Sequence, residues 1–165
     1  MALFEIMKND LFESNAAAIF SILATNMTVI APTGNTYDED FRSWKQAVEN
    51  GLQKQEISII LIKNDGALTG YFQYSVNNDT FIMEEIEFIQ EWQGQNNLFK
   101  QLYGFMLSTL PENIVYVEAY SHKNNAKSQG ILQHLVLEII GENKSGKSYH
   151  FKGLHDDLKK WYYKE

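Results

Sequence analysis

ISIILIK (Ile57–Lys63), LTGYFQYSV (Leu68–Val76) and TFIMEEIEFI (Thr80–Ile89) decide the fold, with NDG (Asn64–Gly66) and NND (Asn77–Asp79) set between them. The three runs are rich in β-branched and aromatic side chains, which suit a pleated surface, and the polar triplets hold residues that tolerate tight turns. Three strands joined by short turns make an antiparallel meander. After Ile89 the period changes: Leu98, Leu102, Phe105 and Met106 share one helical face, which Phe99, Tyr103 and Leu107 widen. Pro111-Glu112-Asn113 ends that helix, and Ile114 to Tyr120 reads as a strand. The order strand, helix, strand implies a right-handed crossover between parallel strands, so the sheet is mixed.

Toward the C-terminus the pattern predicts a fourth helix from about Asn125 through Ile131, Leu132 and Leu135. Strands follow near Glu138–Gly141 and Tyr149–Lys152, and then a short helix over Leu154–Tyr163. Toward the N-terminus, Leu3–Met7 reads as a strand, and Asp10 with Glu13 opens a helix that carries Phe12, Ala16, Ile19, Phe20 and Leu23 at helical spacing. Thr36 and Glu39 form a capping box before Phe41, Trp44, Val48 and Leu52. The sum is an α/β (α+β) fold, a mixed and mostly antiparallel sheet of about seven strands flanked by four or five helices. A single domain is expected over residues 1–165.

Composition narrows the function. Hydrophobic residues make up 44% of the chain, with 10 Phe, 9 Tyr and 3 Trp, far more apolar surface than a disordered segment carries. The absence of cysteine rules out disulfides, thiolate metal sites and a cysteine nucleophile, and a cytoplasmic location is expected. No basic leader with an apolar run opens the sequence, and no apolar stretch reaches membrane-spanning length, so no membrane partner is expected. The net charge of -7, without a basic block, argues against nucleic acid. It favours a cationic partner such as an amine, or simply solubility.

Two segments carry chemistry. Gln93-Gly94-Gln95-Asn96-Asn97-Leu98 lies between the meander and the third helix, and Asn125-Ala126-Lys127-Ser128 precedes Ile131-Leu132 and Leu135-Val136-Leu137. With the element order, these segments resemble the GNAT acetyltransferase superfamily over nearly the whole chain. Its loop [Q/R]-x-x-G-x-[G/A] opens the third helix and cradles a pyrophosphate on free helix N-terminal amides. Here the opening glutamine is kept and both motif glycines are replaced, by Asn96 and Leu98; Asn96 can still adopt glycine-like angles. The second segment parallels N-x-x-[A/S]-x-x-L-Y-x-x-L-G-F, with Leu132 in place of the tyrosine and Val136 in place of the glycine.

The resemblance implies an N-acetyltransferase that passes acetyl from acetyl-CoA to a primary amine by direct attack, with no acyl-enzyme and no metal. Gln93, Gly94, Gln95, Asn96 and Asn97 would form the pyrophosphate loop. Backbone amides near Phe88 and Ile89 would take the pantetheine arm, assisted by Asn125 and Ser128. Asn125 can equally serve as a helix cap. The family's catalytic base often stands on the fourth strand, where alternation sets Glu85 and Glu87 on one face and Glu84 on the other. Tyr120 and His122 are candidates to replace the lost tyrosine as proton donor to the thiolate, and Lys100, Lys123 and Lys127 could meet phosphates. The first two helices and the linker Asn26–Tyr37 would shape the acceptor pocket. The two lost glycines and the lost tyrosine leave open a second reading, an acyl-CoA-binding protein that does no chemistry.

Other signals are weighed against plainer readings. Gly141-Glu142-Asn143-Lys144-Ser145-Gly146-Lys147-Ser148 satisfies the P-loop pattern G-x-x-x-x-G-K-[S/T], but Tyr149-His150-Phe151 reads as strand where a P-loop needs a helix, so a hairpin loop is expected. His122, His134, His150 and His155 lack convincing ligand spacing, and His150 and His155 with Asp156 and Asp157 make a weak metal hypothesis set against the expectation of no metal. Trp161, Tyr162 and Tyr163 dock the last helix or line an interface, which leaves a homodimer open.

Overall fold

The computed structural model describes residues 2–94 and 97–164. Its elements run β1 (Ala2–Ile6), α1 (Phe12–Met27), α2 (Tyr37–Gln53), β2 (Ser58–Asn64), β3 (Ala67–Asn77) and β4 (Thr80–Phe88). They continue with α3 (Leu98–Leu107), β5 (Tyr116–His122), α4 (Ala126–His134), β6 (Glu138–Glu142), β7 (Ser148–Leu154) and α5 (His155–Tyr163). The strands form one seven-stranded sheet in the order β1-β2-β3-β4-β5-β7-β6. Pairing is antiparallel for β1–β2, β2–β3, β5–β7 and β6–β7 and parallel for β4–β5, the mixed sheet expected from the crossover. The contacts divide the chain into two compact units, Met1–Ser75 with Glu85–Gln95 and Val76–Glu84 with Asn96–Glu165.

In the first unit the apolar stripes of α1 and α2 meet one face of the sheet. Met7, Phe12, Ala16, Ile19, Val48, Leu52, Ile59, Leu61 and Tyr71 form the buried cluster, with Leu23, Phe41 and Trp44 at its margin. The helix spacing read from the sequence produces that stripe, because residues three and four apart stack on one side. The capping box is formed as expected. Thr36 Oγ1 accepts from the Glu39 N–H at 3.2 Å, and Glu39 Oε1 accepts from the Thr36 N–H at 3.2 Å. The first helix outlasts its predicted end and carries Asn26 in its last turn, so Asn26 is helical rather than part of the linker.

In the second unit α5 packs on α3. Phe99 meets Trp161 at a ring separation of 5.8 Å, and Tyr103 meets Tyr162 at 5.7 Å. Tyr162 and Trp161 therefore dock the last helix, whereas Tyr163 stands exposed. Tyr103 donates to, or accepts from, His155 Nδ1 at 3.0 Å in a buried pair. Burial lowers the histidine's pKa and raises the phenol's.

The P-loop-like stretch is a hairpin. β6 and β7 pair antiparallel with Glu142 opposite Tyr149, and the Asn143 side chain accepts from the Ser148 N–H at 3.1 Å to close the turn. A strand follows the motif's last residue where a nucleotide-binding loop needs a helix, so the amides are used in the ladder rather than gathered on a phosphate.

Candidate functional site

The chemistry in the first unit gathers at the far end of β4. Alternation along that strand buries Phe81 and Met83 and, farther along on the same parity, Glu87. A carboxylate at a position that continues an apolar face loses its hydration, and burial pushes Glu87 up to about 7 from 4.5. The nearby Asn26 side chain works in the opposite direction by favouring the ionised form. Glu85 shares the parity of Glu87 and is half-buried.

Tyr71 stands beside this carboxylate. The Ile89 N–H donates to Thr69 O at 2.9 Å, which sets Thr69 opposite Ile89 and, two residues along antiparallel strands, Tyr71 opposite Glu87. Gly70 lies between them in sequence, and a Cβ there would come within 2.7 Å of the Glu87 carbonyl oxygen, so glycine permits the close approach. The Tyr71 hydroxyl is buried and has no hydrogen-bond partner among the described residues. Burial first, and then the charges of Glu85 and Glu87, hold the phenol well above its usual pKa.

The strand's exit is fastened by amide side chains. Asn26 Nδ2 donates to Phe88 O at 2.9 Å, Gln93 Nε2 donates to the same oxygen at 3.1 Å, and Gln93 Nε2 also reaches Asn26 Oδ1 at 3.2 Å. Gln93, expected to open a phosphate loop, thus turns its side chain back to cap β4. The expectation for Ile89 needs correction, because its amide is already spent on Thr69 and is not offered to a pantetheine carbonyl. Phe88, one residue earlier, points its peptide groups away from β3.

Beyond Gln93 two residues of the loop are left-handed, neither of them at the positions of the replaced motif glycines. Gly94 has φ +71 and Asn97 has φ 50, both left-handed, with Asn97 as the N-cap of α3. Gln95 and Asn96 lie outside the described residues. No acidic residue stands in the first turn of α3, whose leading amides lack intrahelical acceptors as at any helix start. Lys100 instead donates to Lys164 O at 3.0 Å, and Lys123 pairs with Glu142 at 2.9 Å, so both have partners other than a phosphate.

In the second unit the β4–β5 register covers Thr80–Met83 with Tyr116–Ala119 and stops there, while β4 continues to Phe88 and β5 to His122. Val117 and Ala119 share the face of Phe81 and Met83, and Tyr120 and His122 take the opposite parity. Tyr120 is exposed and stacks on His150 at 4.4 Å, and His150 is paired in turn with Glu118. His122 Nδ1 accepts from the Asn124 N–H at 3.0 Å, so the neutral ring carries its proton on Nε2. Asn125 is the N-cap of α4, its Oδ1 accepting from the Ser128 N–H at 3.1 Å. The helix cap open in the sequence is therefore formed.

The end of α4 is a stop built by backbone hydrogen bonds. Leu137 N–H donates to Leu132 O at 3.1 Å and Val136 N–H to Gln133 O at 3.0 Å, a left-handed helix stop centred on Val136 at φ 68. That conformation belongs to glycine, and a β-branched residue is strained in it. Leu132, at the tyrosine position, is buried.

Sequence reasoning missed Asn26 and Tyr71. Asn26 carried no signal beyond being a polar residue near a helix end, and Tyr71 carried none either, because counting back from the turn between Asn77 and Thr80 sets Gly70, not Tyr71, opposite Glu87. Among the described residues no group of three or more His, Asp or Glu is arranged to hold a metal, and no helix is long and apolar enough to cross a membrane.

No protein-family model matches the sequence, and comparison with curated proteins finds no match. Solved structures do match in fold. An N-acetyltransferase from Thermoplasma acidophilum, solved with coenzyme A, superposes with a TM-score of 0.68 at 12% identity, over 94% of this chain and 99% of that one. An acetyltransferase from Streptococcus agalactiae gives 0.72 at 12% identity, over 93% and 98%. A spermidine/spermine N-acetyltransferase from Vibrio cholerae gives 0.65 at 12% identity, over 97% of each chain.

Proposed function

We propose that this chain, which has the GNAT acetyltransferase fold, transfers an acetyl group from acetyl-CoA to a primary amine. The observation that carries the reading is Glu87, a buried carboxylate near the end of β4 whose pKa of about 7 suits a general base at neutral pH. The amine reaches the site as an ammonium ion, and Glu87 takes its proton. The nitrogen lone pair then attacks the thioester carbonyl, the C–S bond breaks, the nitrogen loses its second proton, and the coenzyme A thiolate leaves and is protonated. The net products are the acetamide, free thiol and one proton.

Left-handed Gly94 and Asn97 support a pyrophosphate loop that includes Gln95 and Asn96, with the α3 amides supplying donors. Phe88 and the α4 start at Asn125 and Ser128 are the pantetheine contacts in this reading. His122, with its Nε2 proton, is a better placed acid for the thiolate than Tyr120, whose ring is stacked on His150. The net charge of -7 and the carboxylates Glu85 and Glu87 favour a cationic acceptor. A cytoplasmic setting fits the absence of cysteine. Burial of Leu132 where the family carries a tyrosine favours the second reading, an acyl-CoA binder without activity.

Calorimetry with acetyl-CoA, followed by mass spectrometry of spermidine, kanamycin and a lysine peptide incubated with both, separates the readings. Acetylated amine is the expected result. Binding without acetylation of any amine supports the inactive binder, and no binding overturns both.

A further inference from the structure

A strand edge without a neighbouring strand presents carbonyl and amide groups that need partners. At the end of β4 the Ile89 N–H is bonded to Thr69 O at 2.9 Å, so the Phe88 carbonyl, one residue earlier, turns to the edge that β3 does not occupy. That oxygen accepts from Asn26 Nδ2 at 2.9 Å and from Gln93 Nε2 at 3.1 Å, which uses both of its lone pairs. Both donors are carboxamides, side-chain copies of the peptide N–H that an adjoining strand would offer. Gln93 Nε2 also reaches Asn26 Oδ1 at 3.2 Å and so links the two.

The two carboxamides are held differently. Asn26 stands in the last turn of α1, where the helix fixes its backbone. Gln93 comes from the loop after β4. There the Trp92 N–H donates to Ile89 O at 3.0 Å and the Gln93 N–H to Gln90 O at 3.3 Å. That tight turn folds the chain back, so that a side chain five residues on reaches the Phe88 carbonyl. Gln93 is half-buried, its side chain is long and unbranched, and left-handed Gly94 follows it. Of the bonds on Phe88 O, the one from Gln93 is the one that can be exchanged without moving a helix.

We propose that the Gln93 carboxamide is an internal stand-in for an amide of the pantetheine arm: it occupies one lone pair of Phe88 O, the arm's N–H takes that lone pair on binding, and Gln93 swings away while Asn26 stays. The identity of the arm rests on the acetyl-CoA reading. The exchange is amide for amide, so Phe88 O keeps its bonds and the cost is what Gln93 gives up. A nucleotide without the arm has no amide to offer there and leaves Gln93 in place. Gln93 thus favours a ligand chain that carries an amide over one that does not, and lowers the affinity for it below that of an open edge.

Calorimetry with CoA and with adenosine 3′-phosphate 5′-diphosphate, which keeps the diphosphate and lacks the arm, tests this on the wild type, Gln93→Ala and Gln93→Met. Both substitutions remove the carboxamide, so CoA should bind each variant about 5-fold more tightly, the size of one exchanged hydrogen bond. The affinity for the nucleotide should not move. Should the variants not fold, the Gln93 side-chain amide protons of the wild type serve, since CoA should speed their exchange with water and the nucleotide should not. A change shared by both ligands, in either direction, would make Gln93 a support of the loop and overturn the inference. Unchanged CoA affinity, or amide protons indifferent to CoA, would overturn it with the acetyl-CoA reading intact. CoA that binds none of the proteins removes the reading and the inference together. Tighter CoA binding in variants of a protein that acetylates no amine upholds Gln93 in this role and leaves the acyl-CoA binder as the function.

Discussion

The far end of β4 and the turn that closes α4 set side-chain chemistry against backbone shape. At β4 the side chains carry the candidate chemistry: Glu87 is buried and pushed up to about 7, while Asn26 and Gln93 cap the neighbouring Phe88 O. At α4 a helix cap and a left-handed stop form without the tyrosine and glycine of the motif that the sequence resembles. Asn125 still caps the helix and Val136 still adopts the left-handed stop, although Leu132 has no hydroxyl and Val136 is no glycine. A helix stop is enforced by hydrogen bonds to the preceding turn and by packing around it, so it survives a poor residue at a cost in strain. A carboxylate proposed as a general base has no such substitute.

Replacing Glu87 tests the β4 side of that contrast most severely. Glu87→Gln should lower the rate of acetyl transfer by about 100-fold or more, the usual contribution of a general base. The same residue should leave a mark on stability. Its folded pKa of about 7 lies above the ordinary 4.5, so the folded protein keeps a proton that the unfolded chain has released across that window. Stability from this group is therefore full below 4.5, falls as pH rises to about 7, and is level above it. The shift corresponds to about 3 kcal/mol. Urea unfolding of the wild type minus that of Glu87→Gln, measured across pH, should show the fall, and a flat difference would mean that Glu87 is not buried in this way.

On the α4 side the effects are smaller and of opposite sign. Asn125→Ala should cost about 1 kcal/mol through loss of the cap, read as a lower denaturant midpoint. Val136→Gly should raise stability by about 0.5 kcal/mol, the relief of left-handed strain less the extra freedom of glycine in the unfolded chain. A destabilised Val136→Gly would mean that the valine earns its place by packing, and that the likeness to the family's glycine is accidental.

Much of the fold was legible because its signals are local. The Thr36–Glu39 capping box, the meander separated by Asn-Asp-Gly and Asn-Asn-Asp, and the strand after the P-loop-like motif each lie within a few residues, and each forms as expected. The site was legible only where it is also local. Alternation set Glu85 and Glu87 on one face, but nothing in the sequence distinguished them. What separates them is the deeper burial of Glu87, next to Phe88, whose carbonyl is held by Asn26 from 62 residues away in the sequence. The use of the Ile89 amide by Thr69 was hidden for a related reason, since it depends on the register of β3 against β4 rather than on either strand alone.

Glu87 acting as a base is tested most directly by the pH dependence of thiol release from acetyl-CoA with spermidine. The wild-type rate should rise with pH through a midpoint near 7, and the residual rate of Glu87→Gln should lack that rise. A Glu87→Gln protein that releases thiol at the wild-type rate with the same profile would contradict it.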